Sequence, residues 1–93
     1  MVSKVARVRK LERLGDHRLK LWFVDGQVGE WDFSNIKTRT GEMATPLRDP
    51  AYFDRVFLEM GALTWPNGYD WCPQALYDDM ATAGVLKFET AAA

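Results

Sequence analysis

The residues best suited to chemistry gather in one short stretch. Asp70 follows a Pro66-Asn67-Gly68 turn and lies close in sequence to Trp65, Tyr69, Trp71 and Tyr77. One charged anchor among aromatic walls is an arrangement that a small-ligand pocket uses. Trp65, Asn67, Asp70, Trp71 and Tyr77 therefore form the first candidate site, for a ligand or for a partner. The same residues also have a structural reading. Asn-Gly is turn chemistry, and an aspartate beside it can accept amide hydrogen bonds within the turn or at the start of the next helix.

Other reactive side chains are sparse. His17 is the single histidine. It falls in the charged connection between the first two expected strands, where it is expected to face solvent. A general base needs an orienting partner within hydrogen-bond reach, and Asp16 beside it in sequence does not establish one. Cys72, the single cysteine, precedes Pro73 at an expected helix start, where terminal amides can lower a thiol pKa. As a small apolar residue it is instead expected to be partly buried. One cysteine excludes an internal disulfide and a thiolate metal cluster. Asp78 and Asp79 lack the loop ligands and glycine of an EF-hand. Phosphate loops of the GxxxxGKS or GxxxxGKT type, and the GxGxxG, GxSxG and HExxH motifs, are absent. The expectation is a chain that is not an enzyme, with no catalytic residue, no metal and no cofactor.

Charge is distributed unevenly. Residues 1–20 hold seven Lys/Arg and two Asp/Glu, and residues 21–93 hold five against eleven, so the segments carry +5 and −6. A basic cluster of this kind suits a nucleic-acid surface, ideally with aromatics interleaved for stacking, and Arg7, Arg9 and Lys20 are its candidates. No aromatic residue lies among them in sequence. The alternative is that they decorate the solvent face of an early strand and discourage edge-to-edge association.

These residues need elements to hold them. Val2, Val5, Val8, Leu11 and Leu14 recur every third position, which sweeps around a helix instead of keeping one face. A strand over about Ser3 to Lys10 is expected, with a bulge shifting its face before the turn at Gly15-Asp16. Leu19, Leu21 and Phe23 alternate with Arg18, Lys20 and Trp22, then Asp25-Gly26 turns the chain into Val28 to Phe33. A three-residue turn with Gly26 as the left-handed bulge residue sets Leu19 opposite Trp31, Lys20 opposite Glu30, Leu21 opposite Gly29 and Trp22 opposite Val28. Leu19, Leu21, Phe23, Trp31 and Phe33 then line the buried side, with a Lys20–Glu30 ion pair outside.

From Ser34 to Thr45 the polar, Thr-rich sequence reads as a loop with a short helical turn after Ser34 and a tip at Gly41. Asp49-Pro50 starts a brief helix. Arg55 to Glu59 and Ala62 to Trp65 form a second hairpin through Met60-Gly61, and Pro73 to about Ala81 forms a second helix stopped near Gly84. The fold class is α+β: an antiparallel sheet of about five strands, from two hairpins and an N-terminal strand, packed with two short helices.

In order, the marks are Leu19-x-Leu21-x-Phe23-x-Asp25-Gly26, then Leu47-x-Asp49-Pro50-x-x-Phe53, then Leu63-Thr64-Trp65-Pro66-Asn67-Gly68-x-Asp70-x-x-Pro73-x-x-Leu76-Tyr77. This pattern resembles the small bacterial family catalogued as domain of unknown function 2442, over about residues 3 to 80. The resemblance implies an α+β domain without an established enzymatic activity. It also implies frequent encoding beside another small protein, in arrangements that look like toxin and antitoxin pairs. Some members of the family carry an added DNA-binding helix-turn-helix segment, which is not expected in these residues.

Length and composition bound the rest. A chain of 93 residues buries roughly 64% of its extended surface on folding, enough for one core. One domain over residues 1–88 is expected, with a disordered tail at 89–93. At 47% apolar and 27% charged residues, with no apolar run of the roughly 20 residues a span requires, a soluble cytoplasmic protein is expected. Three functions follow as expectations. The first is a noncatalytic protein-interaction or regulatory module, the antitoxin-like member of a two-protein operon, acting as monomer or homodimer on a partner encoded by an adjacent gene. The second is a small-molecule-binding domain or minor enzyme centred on Asp70. The third is nucleic-acid binding through the basic first strand, although nucleic acid is not the partner expected for this chain alone.

Overall fold

A computed structural model describes residues 6–39 and 41–89. The first two strands, β1 (Val8–Gly15) and β2 (Arg18–Phe23), form an antiparallel hairpin. Its two central turn residues, Asp16 and His17, have φ of 53° and 61°. Positive φ at both positions defines the type I′ turn, whose twist matches that of the flanking strands, and Asp and His tolerate this region better than most residues. The strand begins later than the sequence suggests, because pairing with β2 holds Leu11 opposite Leu21 and Arg13 opposite Leu19 right up to the turn. Residues 3–5 of the expected strand lie outside the described residues. A register irregularity between Val8 and Lys10 explains the three-residue spacing. The extra residue lets Val8 and Leu11 both face the core, which strict alternation would forbid.

The next hairpin, from β2 to β3 (Gln27–Asp32), has the bulged register. Leu19 lies opposite Trp31, Lys20 opposite Glu30, Leu21 opposite Gly29 and Trp22 opposite Val28, with Gly26 at φ 95°. Leu19, Leu21, Phe23 and Phe33 are buried and Trp31 is half-buried. The expected Lys20–Glu30 ion pair is replaced. Glu30 pairs with Arg18 at 3.1 Å, while the Lys20 ammonium lies 5.1 Å from the Trp22 ring centroid. Two cations compete for one carboxylate, and the ring offers Lys20 a second stable position.

Two 3-10 turns, Ser34–Thr38 and Thr45–Arg48, lead to the one-turn helix α1 (Pro50–Phe53). Asp49 caps α1 by accepting from the amide of Ala51 at 3.2 Å. Strands β4 (Phe57–Glu59) and β5 (Ala62–Thr64) follow as the second hairpin. Beyond it come β6 (Asp70–Trp71), α2 (Pro73–Thr82) and β7 (Lys87–Phe88). Helix α2 ends in a Schellman closure, with Val85 N bonded to Met80 O and Gly84 N to Ala81 O, and Gly84 at φ 76°.

The α+β class is as expected, but the strands divide into two sheets, ordered β1-β2-β3-β7 and β4-β5-β6. The additional strands β6 and β7 are two residues each, too short to leave an alternating pattern in sequence. β1 runs antiparallel beside β4. Val8 N donates to Gly61 O at 2.9 Å at one end, and the Arg13 guanidinium donates to the carbonyls of Asp54 and Val56 at the other. A cationic fork thus stands where a continuous ladder would otherwise run.

One aromatic hub receives both sheets. The Phe53 ring lies 4.7 Å from His17, 5.6 Å from Phe33 and 5.5 Å from Trp65 between ring centroids. The residue after β7 is also fixed. Glu89, expected in a tail, accepts from the Trp22 indole at 2.9 Å and pairs with Arg9 at 3.1 Å, so it belongs to the fold. Residues 90–93 lie outside the described residues.

Candidate functional site

Strand geometry separates the residues that sequence proximity had grouped. Trp65, Tyr69 and Trp71 lie on the core side of the second sheet. Asp70, one position from Trp71, points to the opposite face beside Thr64. Trp65 is fully buried, and its indole donates to Phe53 O at 2.9 Å. Trp71 is 5% exposed, stacked edge-on against Phe33, with the Arg39 guanidinium 4.1 Å above its ring. Asn67 completes the turn: its side chain donates to Met43 O and accepts from Tyr69 N, each at 3.0 Å. Asp70 is exposed, and its carboxylate makes no hydrogen bond or ion pair among the described residues.

Tyr77 belongs to a different part of the molecule. Its hydroxyl donates to Asp25 Oδ2 at 2.6 Å and accepts from Gln27 Nε2 at 2.5 Å. That locks α2 onto the turn between β2 and β3. The bond to Asp25 is the main cause that raises the Tyr77 pKa above its ordinary 10.0. The five candidate residues therefore do not form one pocket. Four of them serve the turn, the core or the helix contact, and Asp70 stands alone on an open face.

His17 corrects the expectation of a solvent-facing side chain. It is 3% exposed, and its Nε2 donates to the carbonyl oxygen of Leu47 at 2.8 Å. The turn carries it inward because His17 falls on the same side as the buried Leu19 and Leu21 two and four residues on, and the Phe53 ring packs against it. Cys72 reverses in the other direction. It is exposed, not partly buried, and occupies the N-cap position of α2 without a side-chain capping bond.

The basic candidates are engaged locally. The Arg7 side chain lies over Gly61, near enough that an added Cβ there would meet it at 2.7 Å. Arg9 pairs with Glu89, and Lys20 shares Trp22 with Lys10, whose ammonium lies 4.7 Å from that ring. Trp22 supplies the aromatic absent from the basic segment itself, entering beside Lys10 from β2. At 8% exposure it is covered by those lysines instead of being open for stacking.

The outer edge of β3 is the most distinctive open feature. Phe33 N bonds to His17 O at 2.7 Å, and Glu89 N bonds to Gly26 O at 2.9 Å. Those two bonds fix the alternation: odd-numbered positions of β3 bond to β2, and even-numbered positions present N–H and C=O to the other side. β7 covers that side at Gln27 and Val28. It stops where the chain crosses Gly29, whose position admits no side chain because Val85 O lies 2.7 Å from an added Cβ. Glu30 and Asp32 are left with outward main-chain groups that no strand among the described residues pairs. A shallow cavity of about 560 Å³ lined by Arg18, Glu30, Trp31, Asp32 and Val85 lies beside them. Asp32 also accepts from the Ser34 hydroxyl and amide, the former being the larger cause that holds its carboxyl below the ordinary 3.8. Sequence reasoning missed this edge because it depends on where β7 stops.

Among the described residues, no cluster of three or more His, Cys, Asp or Glu side chains could hold a metal ion, and no helix is long and apolar enough to cross a membrane. A family model described as "Protein of unknown function (DUF2442)" matches residues 8–81. The chain belongs to that family. No curated protein and no solved structure matches it.

Proposed function

We propose that this chain is a noncatalytic protein-interaction or regulatory module. It acts in the cytoplasm as the antitoxin-like member of a bacterial two-protein operon. The observation that supports this reading is the β3 edge, where the main-chain groups of Glu30 and Asp32 open onto a cavity instead of a neighbouring strand. Unpaired strand edges are templates for another chain, and folded proteins usually cover or blunt them.

The test is co-expression of the full chain with the product of the adjoining gene, followed by size-exclusion chromatography. A stable complex supports the reading, and no complex across several operons of the family overturns it. A ligand-dependent melting shift that Asp70→Asn abolishes would favour the small-molecule reading instead.

A further inference from the structure

We propose that the open part of the β3 edge takes up an extended segment of a partner protein as an added strand, with basic, apolar and basic side chains opposite Glu30, Trp31 and Asp32. This rests on the interaction reading above and names the chemistry of its partner.

Main-chain geometry supplies the first argument. Positions 26 and 28 of this edge already serve the β7 segment, as the Glu89-to-Gly26 bond and the Val28–Lys87 pairing show. The edge is thus competent for pairing along half its length. Beyond the crossing at Gly29, positions 30 and 32 continue the same row of donors and acceptors. The cavity beside them provides space for a strand, whose axis would lie about 4.8 Å away.

Charge selects the occupant. Glu30 and Asp32 are exposed on the outer face, whereas Trp31 is half-buried on the inner face. Side chains directly opposite in antiparallel strands approach to about 5 Å, and like charges there are destabilising. A second copy paired antiparallel about Trp31 would set each Glu30 against the Asp32 of the other copy, bringing four carboxylates together. A strand with Lys or Arg at those two positions reverses the sign of both contacts. Arg18 already neutralises Glu30 from the β2 side at 3.1 Å, so the added cation would complete a row of alternating charge. An apolar residue between the two cations would meet the Trp31 ring.

The experiment uses the isotopically labelled full chain and an end-capped heptapeptide of alternating lysine and valine, with a glutamate–valine peptide as control. The lysine peptide should shift the Glu30 and Asp32 amide signals saturably and slow their hydrogen exchange by about tenfold or more. Glu30→Pro removes an outward donor without touching the β2 ladder, and should weaken binding by about tenfold or more. Glu30→Lys should shift the preference toward the glutamate peptide. A lysine peptide N-methylated on its edge-facing amides should not bind, which keeps the test decisive if the proline variant does not fold.

Shifts centred elsewhere, equal binding of both peptides, or unchanged binding by a folded Glu30→Pro chain would each overturn the edge proposal. If the adjoining gene's product still forms a complex in those cases, the interaction reading stands and only its location is wrong. If the lysine peptide binds as expected but that product does not, the edge stands and the operon role falls.

Discussion

His17 Nε2 donates to the carbonyl oxygen of Leu47 at 2.8 Å, joining a hairpin turn to a 3-10 turn thirty residues further along the chain. The acceptor is a carbonyl, so the proton must sit on Nε2. The contact also offsets the cost of a positive φ at a bulky residue, because the ring is held against Phe53 at 4.7 Å. Replacing His17 with Ala should destabilise the fold by about 2–4 kcal/mol, from lost packing and an orphaned carbonyl. Urea denaturation would measure it, and a change within about 0.5 kcal/mol of zero, the usual range of a surface substitution, would contradict the role assigned to this side chain.

Arg13 bonds two neutral carbonyls, whereas Arg9 pairs with an exposed carboxylate. Arg13→Lys should cost about 1–2 kcal/mol, since an ammonium cannot reproduce the planar fork. That loss should persist in high salt. Arg9→Ala should cost much less than Arg13→Lys, and less still as salt screens the exposed pair. Unfolding curves at two ionic strengths separate the two cases.

Acid should weaken the C-terminal anchor. The Trp22 indole bond is the main cause that holds the Glu89 carboxyl below its ordinary 4.5, with Arg9 adding to it. A carboxyl depressed in the folded state stabilises it above the unfolded pKa, and that contribution is lost as pH falls through the folded value. Trp22→Phe should return Glu89 toward the ordinary range. A carboxyl-detected NMR titration would show the midpoint rise, and an unmoved midpoint would mean that the indole bond does not form in solution.

At the alkaline end the sign reverses. Tyr77 has a raised pKa, so its contribution is intact below about pH 10, where the unfolded tyrosine ionises, and is lost as pH rises through the folded value. Ultraviolet titration should show a tyrosine phase that ionises above the ordinary range. Tyr77→Phe should remove that late phase and free α2 from the Asp25 turn.

The β2–β3 hairpin was readable because only one register places Leu19, Leu21 and Phe33 together without burying Lys20 or Glu30. The Asp49-Pro50 helix start and the Gly84 stop were readable for similar local reasons. Less legible were features set by distant segments. His17 looks like a surface residue until Leu47 and Phe53 arrive, and Trp22 looks unpaired with cations until β1 brings Lys10 beside it. The grouping around Asp70 failed for a simple cause: adjacent residues on a strand face opposite ways, so closeness in sequence between Asp70 and Trp71 means separation in space. The open β3 edge left no local mark, because it is defined by a strand that ends early.

The position of Phe53 makes the molecule indivisible. A four-residue coil delivers a single benzene ring to the junction of two ribbons, and neither ribbon holds a complete apolar interior without it. A gene cut on either side of that coil should therefore encode halves that each lack one face of the shared interior, and circular dichroism of either half alone should show less ordered structure than the whole chain.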